Sequence, residues 1–404
     1  MNLQEVLELV QLRHFETDPM QRLLNRVVQA DDFRAIAHRR LPRAVFDYVD
    51  GGADEEITLQ ANRAAFARRR LHPRLLRNVS VTDLTGSLFG RPFQLPVGLA
   101  PTGYTRMMHP TGEVSAARAA MAAGVPYCLS TVATTTIEEV AATGHPNLWF
   151  QLYITSDPRL SDPLLDRAAA AGYTALEVTI DTTVTGRRLR DARNGLSIPP
   201  QLSPGTILDI ARRLRYWTGM LRSPAIRFAN FADMTDDQRR SAGSTQIGGL
   251  FDDSLNWAHI EAVRARWQGP LLLKGPLGPD DARRALDLGI DGFHVSNHGG
   301  RQLDRCVATA DLVAPLRAAV GQSVPIVVDS GVHCGGDVAV ALALGADMAF
   351  VGRAYVYAVA SAGERGVTHL MSLLAAELQS VMQLCGVATL AQLRENGPAL
   401  LGDG

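Results

Sequence analysis

The feature that most narrows the fold is a rhythm that begins near residue 95. Short apolar runs, most of them rich in β-branched residues, alternate with Ala-rich stretches of helical period, the pattern of repeated strand–helix units. Eight runs read as strands: 95–100 (LPVGLA), 126–131 (PYCLST), 147–154 (NLWFQLYI), 175–181 (ALEVTID), 270–275 (PLLLKG), 292–297 (GFHVSN), 325–330 (PIVVDS) and 348–353 (MAFVGR). The spacing predicts helices over 113–124, 161–172, 254–267, 279–289, 308–319, 336–345 and 367–384. Strands so continuously apolar must be covered on both faces, which a closed parallel (β/α)8 barrel of the TIM type provides. An open doubly wound sheet more often has fewer strands, and no Gly-x-Gly-x-x-Gly follows the first run, which weighs against a dinucleotide fold.

Composition removes several other classes. The 404 residues carry 40 basic and 41 acidic side chains, a net charge of -1. Nucleic-acid binders usually concentrate an excess of Lys and Arg, so no nucleic-acid partner is expected. The cysteines (Cys128, Cys306, Cys334, Cys385) are far apart and form no CxxC, so neither a zinc site nor a disulfide scaffold is expected, and no metal is assigned. No signal peptide and no apolar run of membrane-spanning length is visible, which makes a cytoplasmic protein the default expectation. Residues 1–30 read as a polar helical extension with Leu3, Val6, Leu7 and Val10 at helical spacing, 31–390 as the barrel domain, and 391–404 as a C-terminal tail.

In such a barrel the active site lies at the C-terminal ends of the strands. Here every run ends in or beside a residue capable of chemistry: Pro101-Thr102-Gly103, Ser130-Thr131, Gln151 with Tyr153, Thr179 with Asp181, Lys274, Ser296-Asn297-His298, Asp329-Ser330-Gly331, and Gly352-Arg353. One Ser or Thr in such a place is commonly a satisfied core group, but a complete ring of polar ends fits that reading badly. The last two ends suit a phosphate. VDSGVHCGG (328–336) places Gly331, Gly335 and Gly336 where backbone N–H groups face an anion at a helix start, and Gly352 and Arg353 add a fork of donors. Glycine after a barrel strand is also ordinary turn chemistry.

SNHGGRQLD (296–304) is the most specific string in the chain. A base at His298 with a bidentate donor at Arg301 suits removal of a proton or hydride beside a carbon that bears a carboxylate. Asp181, if it reaches His298, would fix the imidazole tautomer, and Arg188 would share the carboxylate with Arg301. Two other functions use the same strand ends. A lyase could form a Schiff base at Lys274 with a phosphorylated carbonyl compound, and a catalytically silent barrel could simply bind a ligand.

The rhythm breaks once, between the fourth and fifth runs, where 182–253 reads as an insertion too long for a strand–helix connection. Within it, 205–222 (GTILDIARRLRYWTGMLR) sets Ile207, Leu208, Ile210, Leu214, Trp217 and Leu221 against Arg212, Arg213, Arg215 and Arg222. It reads either as a lid helix with a solvated face or as a basic amphipathic segment on an anionic membrane surface.

FDYVDGGADEEITL (46–59), LAPTGYTRMMHPTGE (99–113), LSTVATTTIEEV (129–140), WFQLYI (149–154), DTTVTGRRLRD (181–191), LLLKG (271–275), VSNHGGRQLD (295–304), VDSG (328–331), ALALGAD (341–347) and VGRA (351–354) together resemble the FMN-dependent α-hydroxy-acid oxidases and dehydrogenases. The resemblance runs in order from about residue 32 to 390 and leaves the N-terminal extension outside. It implies an FMN-binding barrel, usually a homotetramer, that oxidises a small (S)-2-hydroxy acid to the 2-oxo acid and is reoxidised by a quinone or dioxygen. By position His298 would be the base and Asp181 its partner. Tyr48, Arg188 and Arg301 would bind the carboxylate, and Tyr153 would stand near the reacting hydroxyl. Lys274 would sit by flavin N1 and O2, where a cation stabilises the anionic reduced ring. Pro101, Thr102, Gly103, Ser130, Gln151, Thr179 and Ser296 would line the flavin, and Asp329, Gly331, Gly352 and Arg353 would hold the ribityl phosphate.

Three positions depart from the family's pattern. His333 stands where many relatives carry Arg beside the phosphate. Gly103 matches the mandelate and bacterial lactate dehydrogenases of the family, where several oxidases have Ala, and so favours a dehydrogenase. Val132 replaces a bulky aromatic residue, which widens the pocket. The 182–253 interval is similar to the segment that dehydrogenase members use for membrane association, so a peripheral place at the inner face of the membrane is a second expectation.

Overall fold

The computed structural model describes residues 16–195, 209, 211–231 and 252–402. Eight parallel strands close into a barrel: β1 (Val97–Leu99), β2 (Tyr127–Ser130), β3 (Leu148–Leu152), β4 (Ala175–Thr179), β5 (Leu271–Gly275), β6 (Gly292–Val295), β7 (Ile326–Val328) and β8 (Met348–Val351). Each pairs with its neighbour in sequence and β8 returns to β1. All eight are buried along their whole length, which is why their sequences lack the alternation of a half-exposed sheet. The eight expected runs are the barrel strands, each one to three residues shorter at its ends.

The helices pack outside. Gly112–Ala122 buries Ala116, Ala117, Ala119 and Ala120 completely, so small side chains let it lie close to the long helix Arg353–Leu384. That helix is longer than the 367–384 expectation, because the eighth strand stops at Val351 and Arg353 already opens the helix. Its course breaks at Ala362 and Gly363, where Gly363 takes a left-handed φ of 57°. At the N-terminal mouth the hairpin Gly86–Leu88/Arg91–Phe93 turns through Phe89 and Gly90, both left-handed, and lays Phe89 against Trp149. Core residues also come from outside 31–390: Leu24 and Val27 precede it, and Leu393 and Leu400 follow it, with Leu401–Gly402 pairing Arg70–Leu71. Leu3, Val6, Leu7 and Val10 fall outside the described residues, as do Ile207, Leu208 and Ile210.

Before the barrel, Ala30–Arg40, Arg43–Asp50 and Ile57–Ala67 form three helices separated at Pro42 and Gly51-Gly52. Asp50 ties them down. Its carboxylate takes a two-pronged bond from Arg34 (2.6 and 2.8 Å), one from Arg190 (2.9 Å) and one from the Tyr357 hydroxyl (2.7 Å). Burial alone would raise the Asp50 pKa, but these donors outweigh it and hold it at about 2. The stability so gained is present above the ordinary carboxyl value of 3.8 and is lost as pH falls from there toward about 2. Asp50→Asn is expected to lower stability at pH 7 by about 1.5–3 kcal/mol in urea unfolding, and by less near pH 3. An equal loss at both pH values would show that charge is not what Asp50 contributes.

Candidate active site

The C-terminal ends of the strands enclose one cavity with about 1190 Å3 of space free of protein atoms, its mouth included. Tyr48, Pro101, Thr102, Gly103, Tyr153, Arg188, Lys274, His298, Arg301, Asp329, Gly331, Gly352 and Arg353 all line it. Asp181, Ser130, Gln151, Thr179 and Ser296 do not line it: Asp181, Ser130 and Ser296 are bonded to the lining residues His298, Val132 and Lys274, and Gln151 and Thr179 continue the chain of bonds from Ser130.

His298 leaves β6 in a turn that only an unusual sequence tolerates. His298, Gly299 and Gly300 are successively left-handed, with φ of 58°, 66° and 72°. For the two glycines this costs little, and for His298 it is strained. Hydroxyl groups hold the turn: Ser296 Oγ accepts the His298 N–H (3.1 Å) and Ser330 Oγ accepts that of Gly299 (2.9 Å). Beneath it, the Asn62 and Asn297 amides exchange two 2.8 Å bonds, and Gly300 N–H donates to Asn297 Oδ1 (3.1 Å). Asn62 had no signal in the sequence, since its helix, Ile57–Ala67, precedes all the barrel strands in the chain. The His298 ring stands with Nδ1 3.5 Å from Asp181 Oδ1, at the long edge of hydrogen-bond reach, and Nε2 3.2 Å from the Tyr153 hydroxyl. These partners assign the Nδ1 proton to the Asp181 side. Burial, and then the Lys274 charge, push the His298 pKa below 6.5 against the pull of Asp181, so the ring is neutral at neutral pH.

Three arginines are held in two ways. Arg301 gives Nη1 to the Tyr48 and Gly51 carbonyls (2.5 and 3.1 Å), and Arg353 gives Nε and Nη2 to the Val49 and Gly51 carbonyls (both 2.9 Å). The acceptors are the unpaired carbonyls at the C-terminal end of helix Arg43–Asp50, whose partial negative charge suits cations. Arg188 pairs with Asp191 (3.0 Å), and both Arg188 and Arg301 stack over the Tyr48 ring, at 5.7 and 5.0 Å. Burial, and then repulsion from Arg188, lower the Arg301 pKa to about 10. A buried guanidinium bonded only to carbonyls among the described residues is well set to receive an anion.

Behind the cavity the barrel interior is polar. Gln151 accepts from Ser130 Oγ (3.0 Å) and donates to Thr179 Oγ1 (2.9 Å). Lys274 Nζ donates to Ser296 Oγ (3.1 Å) and faces Asp329 Oδ2 at 3.9 Å. Below them, His294 and Glu177 are completely buried and paired (Nδ1 to Oε1, 2.7 Å), and His294 Nε2 lies 3.2 Å from Asp329 Oδ2. The sequence carried a trace of this pair, one charged or imidazole side chain inside each of two apolar runs, ALEVT and GFHVS. Burial works against the Lys274 charge, but Asp329, Asp181 and Glu177 raise its pKa above 10.5. A permanently protonated amine is a poor nucleophile, which counts against the Schiff-base function.

Not all of the residues expected to cup a phosphate face the cavity. Gly331, Val332, His333, Gly352 and Arg353 line the cavity. Gly335 and Gly336 do not: the Gly335 N–H donates to Glu377 Oε2 (2.6 Å), and a Cβ there would meet Leu378 N at 2.2 Å. Gly335 therefore allows close helix packing instead of binding an anion. The residues present fit FMN. The site offers apolar walls at Ala100, Pro101 and Val132 and the cations Lys274 and Arg353. A wall at Gly352 is so bare that an added Cβ would find its nearest neighbour 4.0 Å away. His333 Nδ1 is buried without a hydrogen-bond partner. Gly103 and Val132 are one adjustment, since a methyl on Gly103 would come within 2.6 Å of Val132 Cγ2.

Residues 37–398 match the model of the family described as FMN-dependent dehydrogenase. An L-lactate dehydrogenase of Caulobacter vibrioides is 43% identical over 373 residues, covering 91% of this chain and 97% of its own. Among solved structures, the monotopic membrane protein (S)-mandelate dehydrogenase superposes with a TM-score of 0.88 at 33% identity, over 94% of this chain and all of its own. A mandelate oxidase superposes at 0.78 with 38% identity, over 93% and 98%. With a match that spans nearly the whole barrel, the chain belongs to the FMN-dependent dehydrogenase family.

Proposed function

We propose that the protein oxidises a small (S)-2-hydroxy acid to the 2-oxo acid and passes the electrons to a carrier such as a quinone in preference to dioxygen. The observation that carries this reading is the convergence of a neutral imidazole, His298, and two guanidinium groups, Arg188 and Arg301, on one cavity floored by the Lys274 cation. Bound FMN would supply the two-electron acceptor, held by Lys274, Gln151, Thr179 and the Gly331–Arg353 cup. Arg301 and Arg188, with the Tyr48 ring between them, would bind the carboxylate and orient the reacting carbon. The His298 Nε2 lone pair takes the proton of the substrate hydroxyl, and Tyr153 donates a hydrogen bond beside it. Asp181, on Nδ1, stabilises the imidazolium that forms. The preference for a carrier over dioxygen rests on Gly103 and on the lactate dehydrogenase relatives.

The same reading extends to a membrane surface. Among the described residues no helix is long and apolar enough to cross a membrane. Helix Leu214–Met220 is stapled to the barrel by a bond from the Tyr216 hydroxyl to the Met107 carbonyl (2.8 Å), while Leu214 and Leu221 are 72% and 82% exposed. With Arg212 and Arg222 beside them, these leucines suit a peripheral contact with anionic lipid.

In anaerobic titration, lactate-sized to mandelate-sized (S)-2-hydroxy acids are expected to bleach the flavin band. His298→Gln should keep FMN but reduce it about 10²–10⁴-fold more slowly. The acid limb of the reduction rate should have its midpoint below pH 6.5, since the base must be neutral, and Asp181→Asn should move it lower still. A limb unchanged in both variants would remove His298 from its role. Replacing Leu214 and Leu221 with Asp should abolish low-salt partition onto anionic liposomes, and undiminished partition would place the contact elsewhere.

A further inference from the structure

The Glu177–His294 pair takes no part in the mechanism above, yet it lies directly behind it. Lys274 and His294 are register partners on β5 and β6, and the His294 ring stands 5.0 Å from Phe350, itself part of the cavity wall. Asp329 connects the two layers, with Oδ2 3.9 Å from Lys274 Nζ and 3.2 Å from His294 Nε2. Its Oδ1 accepts from Ser330 Oγ (2.6 Å), the same hydroxyl that holds the Gly299 N–H. Glu177 is satisfied on its other oxygen by the Cys128 thiol (3.5 Å). Stability is a poor explanation for such a pair, because apolar replacements of a buried ion pair are often neutral or stabilising.

Charge supplies a better one. Lys274 and a protonated His294 balance Glu177 and Asp329; with His294 neutral, the barrel interior would carry one uncompensated negative charge beneath the site. Flavin reduction adds negative charge at that place, so an uncompensated carboxylate would oppose it. We propose that His294 is a positioning residue for flavin reduction: it offsets Glu177 and shares the Asp329 carboxylate with Lys274, so that Asp329 does not fully neutralise the Lys274 cation, which is left to favour the reduced flavin. The protonated state agrees with its surroundings. Burial lowers the His294 pKa, but Glu177 and Asp329 on either side raise it to about 9. This inference rests on the reading that places Lys274 beside the flavin.

The test is the two-electron midpoint potential of the holoenzyme, measured by spectroelectrochemistry at pH 8, below the His294 pKa of about 9. His294→Leu should shift the reduction equilibrium about tenfold toward oxidised flavin, which is about 30 mV for a two-electron couple. His294→Leu combined with Glu177→Leu removes both charges and should return the potential to within about threefold of wild type. Where His294→Leu does not fold, His294→Gln keeps a donor to Glu177 without charge and should show the same downward shift. Lys274→Met tests the underlying reading separately: loss of FMN or a lowered potential supports it, and unaltered retention with an unaltered potential rejects it. If Lys274→Met moves the potential but the His294 variants do not, or if the double variant falls as far as the single one, the role of His294 is overturned alone.

Discussion

More positive charge faces this cavity than the nearby carboxylates neutralise, and the rest of the site is arranged around that imbalance. Lys274 and Asp329 offset each other, and Arg188 has Asp191, but Arg301 and Arg353 rest on the carbonyls of one helix end. Backbone dipoles tolerate a desolvated guanidinium without cancelling it. Two anions, the phosphate and the carboxylate of the proposed function, would balance that excess.

The scaffold explains how such a cluster is held in place. A barrel of fully buried strands leaves only the strand ends free to vary, so chemistry collects there. The helix Arg43–Asp50 then supplies what the barrel cannot: Tyr48 on the cavity side, three carbonyls for two arginines, and Asp50 as the anchor that fixes its angle. His298 depends on a different support. Its left-handed backbone is maintained by Ser296, Ser330 and the Asn62–Asn297 pair, so the strain at His298 is balanced by contacts that pre-set its direction.

The barrel was legible because its strands are apolar runs bounded by turn residues, and the ring of polar strand ends pointed to the mouth. The SNHGGRQLD string carried His298 and Arg301 because a local turn positions both. What was hidden depends on distance along the chain. Nothing local says that Glu177 on β4 meets His294 on β6, or that Asn62 reaches under Asn297. Gly335 is hidden for a related reason: it makes room for Glu377 and Leu378, more than 40 residues later on the long helix, and does not face the cavity. Arg353 likewise starts a helix that the apolar run before it disguised as strand.

The proposal that Arg301, a buried cation with no carboxylate partner among the described residues, takes the substrate carboxylate is tested most directly by titrating the holoenzyme with oxalate, an unreactive dianion, and following the flavin absorbance. Oxalate should bind wild type and lose roughly 30-fold or more in affinity in Arg301→Met, the range for removing one partner of a buried charge pair. Equal affinity in the two proteins would contradict the account.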